Sequence, residues 1–340
     1  MQASTAGQPP ATVTTVERFD AFLSTNELTK SQVLEQVDDS FGDPLLIIAA
    51  GSVIAGFGNA NSDLDLYVIV PDEVASTLPL MAYPKGSRVD VVLHGVDQVA
   101  RRHEELTTTH WPPPEVGPGD LGTRRQVLDS MSRFGLGLPL TGTHEWSAWQ
   151  QRLAGELAGW IRSWYAAEAV RKRIAAREFA GRKPLVAALR IGEALAAALE
   201  RRAVERGEAY FKPKWLGEKL SRLGDREGLA AFELAMCPPC SPDEVPAYLA
   251  RVGELLDHYL LDVDSSAWRV KLSCARGTDR YAFGGDQLVS RWGLRTVSVP
   301  AGGPVDTGTA WTYAVDEDWH PDVAALFAED LLWLGVECPS

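Results

Sequence analysis

Three aspartates and a glycine-serine pair are spaced along this chain in a way that fits phosphoryl chemistry. Ala50-Gly51-Ser52 closes a continuous apolar run, and after ten further residues the chain reads Asp63-Leu64-Asp65-Leu66-Tyr67-Val68. Side chains two apart on a strand share a face, so Asp63 and Asp65 can hold one divalent cation about as hard as Mg²⁺. Asp90, in Arg88-Val89-Asp90-Val91-Val92, follows about a hairpin later. With its strand beside that of Asp65, it would complete a site for two Mg²⁺ ions. Two such ions ~3.5–4 Å apart clamp the attacking and leaving oxygens of an in-line displacement at phosphorus. A strand that ends in Gly51-Ser52 and runs into a helix presents backbone N–H groups and a small hydroxyl to phosphate oxygens. Nothing bulky blocks the approach, and the helix start is electropositive.

The elements that must hold these residues read as an α+β chain. Leu45 to Ala50 and Leu64 to Val70 are continuous apolar strands, and Arg88 to Leu93 alternates as a third, giving a mixed sheet with flanking helices. Short amphipathic helices are expected at Val16–Leu23 and Lys30–Val37, and loops at Trp111–Pro118 and Gly135–Gly142. From Glu145 to Leu261 long Ala, Leu, Arg and Glu stretches predict helices, with an apolar stripe from Lys183 to about Ala203. Strands are expected at Trp268–Ser273, Leu294–Pro300 and Ala310–Val315, then a helix over Pro321–Leu334. The boundaries that follow are a disordered tail over 1–15, a catalytic domain over 16–144, a helical domain over 145–262 and a small α/β region over 263–340.

Composition narrows the class of partner. The 340 residues are 45% hydrophobic and contain 11 Trp, which excludes a disordered chain, and four Cys cannot staple a chain of this length. A net charge of −13 weighs against a nucleic-acid partner, whose binding rests on clustered Lys and Arg. The charge is uneven: −10 over residues 1–150, +8 over 151–222 and −11 over 223–340. An acidic metal-binding half is therefore expected to face a basic helical half, which suits a triphosphate with its Mg²⁺ ions better than a polymer. Met1 to Thr15 lacks the basic start and apolar run of a signal peptide, and the most apolar stretch, Leu45 to Gly58, is too short to span a bilayer. A cytoplasmic protein with no membrane partner is the expectation.

The constellation over residues 43–95 resembles the DNA-polymerase-β-like nucleotidyltransferase superfamily, whose motif is Gly-Ser or Gly-Gly, a spacer, Asp-x-Asp or Asp-x-Glu, and a later Asp. Within it the chain looks most similar to bacterial small-molecule nucleotidyltransferases, the group that includes aminoglycoside-modifying adenylyltransferases. The resemblance implies transfer of a nucleoside monophosphate, AMP from ATP, to a hydroxyl or amine of a small acceptor such as an antibiotic or metabolite, with release of pyrophosphate. It implies that Gly51 and Ser52 hold the triphosphate and that Asp63 and Asp65 ligate both metals. Asp90 would ligate the catalytic metal beside the acceptor. Many relatives carry Arg or Lys soon after the Gly-Ser pair, but Val53-Ile54-Ala55-Gly56-Phe57-Gly58 has no cation. Lysines of the helical domain commonly reach the triphosphate in this superfamily. Lys183 and Arg190, seven apart on one helical stripe, and Lys214 with Lys212 are the candidates here.

Two other functions share these residues: a protein-modifying, antitoxin-like adenylyltransferase, and an inactive nucleotide-binding protein. An RNA-directed transferase ranks below them. Glu193 pairs with Arg190 at i, i+3 or serves as a general base. Cys237-Pro238-Pro239-Cys240 lacks a second ligand pair for zinc and reads as a helix-ending loop. His94 is expected at a sheet end against solvent or backbone, and Tyr165 and Trp215 are candidates to stack on a base.

Overall fold

A computed structural model of the chain describes residues 13–41, 44–59, 61–75, 80–117, 119–303, 305 and 308–338. Of the expected tail, residues 1–12 lie outside these. Thr14 caps the first helix, α1 (Thr15–Thr25), in a capping box: its hydroxyl accepts from the Glu17 N–H and the Glu17 carboxylate accepts from the Thr14 N–H. Those bonds hold the Glu17 carboxyl below the usual range.

The described residues form two compact units, one of residues up to 104 with 130–155, the other of 105–129 with 156–338. Unit 1 is built on a mixed five-stranded sheet. Its strands are β1 (Leu46–Ala50), β2 (Leu64–Val70), β3 (Leu80–Ala82), β4 (Val89–Gly95) and β5 (Leu138–Gly142), in the order β3-β4-β2-β1-β5. β2 and β4 run parallel, and the remaining pairs are antiparallel. The link from Asp65 to Asp90 is thus a crossover and not the expected hairpin, and β4 makes its hairpin with the short edge strand β3. Helices α2 (Lys30–Phe41), α3 (Gly51–Ala55), α4 (Val96–Thr108), α5 (Asp120–Leu136) and α6 (His144–Ala180) complete the connections.

The strands read as continuous apolar runs because both faces of the sheet are covered. Leu64, Leu66, Val68 and Val70 of β2, with Val89, Val91 and Leu93 of β4, pack into a core with Phe19 of α1 and Val33 and Val37 of α2. The opposite face carries Tyr67 and His94, whose rings lie 5.5 and 5.2 Å from Phe134 of α5. Residues 135–142, expected as a loop, instead finish α5 and form β5. Gly137 allows this, because a Cβ there would overlap Ile48 and the backbone of Arg133.

Unit 2 contains the rest of α6 with α7 (Pro184–Glu205), α8 (Leu216–Arg222), α9 (Arg226–Met236) and α10 (Val245–Tyr259). Of the apolar stripe of α7, Ala188, Leu195 and Leu199 are buried, with Ala187 and Ala198 beside them, whereas Leu185 and Leu189 are exposed. Two three-stranded sheets follow. One comprises β6 (Arg269–Cys274), β10 (Ala310–Ala314) and β11 (Leu332–Glu337); the other comprises β7 (Thr278–Phe283), β8 (Asp286–Arg291) and β9 (Arg295–Pro300). The expected helix over Pro321–Leu334 stops early. α11 (Pro321–Ala328) ends, Asp330 takes a left-handed φ of 56°, and β11 begins. β7 is mostly exposed, and β8 is mostly polar with Val289 and Ser290 buried, so neither carries a clear apolar alternation. The chain is thus α+β, with a mixed sheet and flanking helices followed by a helical region and a small α/β region. No helix among the described residues is long and apolar enough to cross a membrane.

Candidate functional site

The parallel pairing of β2 and β4 sets Asp65 directly beside Asp90. On the other side Asp65 is paired with Ala50, the last residue of β1. Gly51 follows with φ +81°, and a Cβ at that position would overlap the Asp65 carboxylate. Only glycine meets both demands, the left-handed turn and the close approach. Gly51 and Ser52 open the short helix α3, so the Gly-Ser pair, Asp65 and Asp90 come together at one end of three adjacent strands.

Two arginines hold the carboxylates. Arg88 donates from Nε and Nη2 to the two oxygens of Asp90, at 2.8 and 3.0 Å, and its Nη1 lies 3.3 Å from Asp63. Arg133 of α5 donates to Asp65 at 2.8 Å while its guanidinium stands over the Tyr67 ring, 5.2 Å from the centroid. Burial pushes the Asp65 carboxyl above the usual aspartate range; Asp90 and Asp63 add to the rise and Arg133 opposes it. The hydrogen bond to Asp90 in turn raises the Arg88 pKa. No cation follows Gly51-Ser52, but two arginines from elsewhere in unit 1 stand against the carboxylates. Arg88 was legible as a charge two residues before Asp90 on the same strand. Arg133 was not, since it lies 68 residues from Asp65 in a stretch whose end reads as loop.

Among the described residues, no group of three or more His, Cys, Asp or Glu side chains stands assembled to hold a metal ion. Asp63, Asp65 and Asp90 are engaged by guanidinium groups instead. Their donor set, carboxylate oxygens at one sheet end, is of the kind that suits a hard divalent cation.

The candidate cations of the helical region belong to unit 2 and have partners there. Lys183 donates to the Ala328 carbonyl at 2.5 Å and pairs with Glu329 at 2.8 Å. Arg190 pairs with Glu193 at 2.7 Å, the i, i+3 contact expected from spacing, and Lys172 joins Glu193 at 3.4 Å. Lys212 pairs with Asp129 at 2.6 Å, and exposed Lys214 stands 5.2 Å from the Trp215 ring centroid. Tyr165 is buried, with its hydroxyl in the interior, so it offers no face to a base. His94 also differs from expectation. It is buried against Tyr67 and Phe134 with Nδ1 3.0 Å from Gln98 Oε1, and burial lowers its pKa to about 4, so it is neutral at pH 7. Cys237 ends α9 and Cys240 lies in the loop beyond; both are exposed free thiols, as a helix-ending loop requires.

Neither a protein-family model nor a curated protein sequence matches this chain. Among solved structures it is similar to a nucleotidyltransferase-like protein from Exiguobacterium sibiricum, at 15% identity and a TM-score of 0.41. The match spans 69% of this chain and 79% of that one.

Proposed function

We propose that unit 1 is the catalytic part of a nucleotidyltransferase that moves a nucleoside monophosphate, AMP from ATP, to a hydroxyl or amine of a small acceptor and releases pyrophosphate. The observation that carries this reading is the in-register pair Asp65 and Asp90 on parallel strands, with the left-handed Gly51 packed on Asp65. A structural turn has no need of a half-buried carboxylate beside a second one; desolvation, with Asp90 and Asp63, raises the Asp65 pKa and costs stability.

Asp63, Asp65 and Asp90 are the residues that would hold Mg²⁺, and Arg88 stands against Asp63 and Asp90. The ions would supply charge neutralisation at the attacking and leaving oxygens. Gly51, lacking a side chain, leaves the backbone at the start of α3 open to phosphate oxygens, and Ser52 adds a hydroxyl. Arg88 and Arg133, both already at the carboxylates, are the cations best supported to meet the triphosphate, by bidentate donation that Lys cannot match. Asp90 then stands nearest the acceptor and orients its nucleophilic oxygen or nitrogen. Most of the rate gain comes from positioning and preorganised charge.

The test is pyrophosphate release from each nucleoside triphosphate with Mg²⁺ and a panel of hydroxyl- and amine-bearing acceptors, wild type against Asp90→Asn. Acceptor-dependent release lost in Asp90→Asn is the expected result. Release unchanged in the variant, or absent from the wild type with every nucleotide, defeats the reading. Label moving from ATP onto a co-expressed protein would place the acceptor on a polypeptide instead.

A further inference from the structure

Unit 2 contains a cavity of about 680 Å³ that the transferase reading does not use. Val170 and Ile174 of α6, Ile191 of α7, Leu249 of α10 and Leu260 just beyond it give it an apolar wall, and its size is that of a site for a small organic ligand. Four charged residues line the rest: Arg173, Arg177, Asp257 and Asp316.

These charges are not equally free. Arg177 donates to the carbonyls of Val315 and Glu317 at 2.8 and 3.0 Å and to the Glu178 carboxylate at 2.8 Å, so all three of its nitrogens are engaged. Arg173 pairs with Asp257 at 2.7 Å. Asp316 is exposed at the cavity and has no hydrogen bond or ion pair among the described residues. With each arginine matched to a carboxylate, the charge left over is negative. Gly253, on the α10 wall between Leu249 and Asp257, adds a second observation: a Cβ there meets nothing within 4 Å. A glycine in mid-helix costs helix stability, and here it leaves the cavity open where any other side chain would begin to fill it.

We infer that this cavity binds an apolar small molecule carrying one positive charge, an alkyl or aryl amine, with its body against the α6 and α10 wall and its ammonium group at Asp316. The site stands independently of the transferase reading, because every residue in it belongs to unit 2.

The experiment is calorimetric titration of the full chain at pH 7 with three probes of one body and different heads: decylamine, decanol and decanoate. Decylamine is expected to bind saturably and more tightly than decanoate, and Asp316→Asn to weaken it by about fivefold, the worth of one exposed ion pair. Gly253→Phe is expected to abolish binding without lowering Tm, since it fills open space and removes a helical glycine. If Gly253→Phe lowers Tm, Gly253→Leu and Ile174→Phe serve as the filling variants. Decanoate bound as tightly as decylamine, no saturable binding of decylamine, or binding unchanged in every filling variant that folds overturns the inference.

Discussion

Both units place carboxylates against cations, and they do so in opposite ways. In unit 1 the side chains of Asp63, Asp65 and Asp90 are 36%, 24% and 19% exposed, and their arginine partners are 42% and 17% exposed. In unit 2 Lys219 of α8 pairs with Glu200 of α7 at 2.6 Å, with exposures of 0% and 2%. Burial pushes the Glu200 pKa up to about 7 and the Lys219 pKa down, each toward its neutral form, although each partner's charge opposes the shift. The second Glu200 oxygen, Oε1, has no hydrogen-bond partner among the described residues. The buried pair cannot exchange partners with anything in solvent, so its role is architectural. The aspartate cluster is partly exposed, and on the proposed function a cation from solution would replace a guanidinium there.

The largest effect that would sharpen this contrast is on activity. Asp65→Asn is expected to lower nucleotidyl transfer by about a thousandfold, as when one preorganised charge is removed from a transition state. The same variant should melt roughly 2 °C higher at pH 7. The folded pKa of Asp65 is raised, so the residue favours the fold while protonated and that contribution is lost as pH rises above 3.8. A fall in Tm would make the cluster architectural, like the pair in unit 2. Next in size, Glu200→Ala strands the Lys219 ammonium in the interior and should cost about 3–5 kcal/mol by denaturant unfolding. Glu200→Met with Lys219→Met should recover most of that, and equal losses in the single and double variants would contradict the assignment.

One further carboxylate of unit 2 sits between these extremes. Asp225 caps α9 through the Gly228 N–H at 3.0 Å and accepts from Arg202 and Arg206 at 2.5 and 2.8 Å, which lowers its pKa to about 2, with the Arg202 bond the largest cause. A lowered folded pKa stabilises the fold above the unfolded value of 3.8, and that stabilisation fades as pH falls toward 2. Asp225→Asn should therefore cost about 2 kcal/mol at pH 7 and little at pH 2, read from unfolding curves at the two pH values. The smallest expected effect on stability is Gly51→Ala. It should cost about 1–2 kcal/mol through the left-handed backbone and push on Asp65, with activity falling more than that cost accounts for. Full activity in a stable Gly51→Ala protein would separate the glycine from the site.

Much of unit 1 was readable along the chain because its physics is local. Leu64 to Val70 is apolar at every position but Asp65, so the run announced a strand of a sheet covered by helices on its inner face, and the exception announced a site. Elements that depend on distant partners were harder to read. β5 contains Pro139 and Gly142, turn residues by composition, and it forms because β1 needs a neighbour. β7 and β8 pair with each other in a small sheet that buries few residues, Val289 and Ser290 of β8 among them, so their apolar pattern is faint. The three aspartates were legible by spacing, and the parallel crossover was not, since a short spacer is compatible with either direction. Arg133 escaped because no local signal ties a helix residue to a strand 68 positions earlier.

The register of β2 against β4 has a consequence for how such a protein can change over evolutionary time. Seven residues of β2 are paired with seven of β4, and the apolar members of both strands fill one core. Sliding either strand by one position would turn that whole row toward the wrong face, at a cost of roughly 1.5–3 kcal/mol for each large side chain exposed. The spacing of Asp65 and Asp90 is therefore inherited from the hydrophobic ruler beneath them and is insulated from substitutions elsewhere on the surface. On the proposed function, residues around the acceptor could then drift toward new molecules while the spacing of the two carboxylates stays fixed.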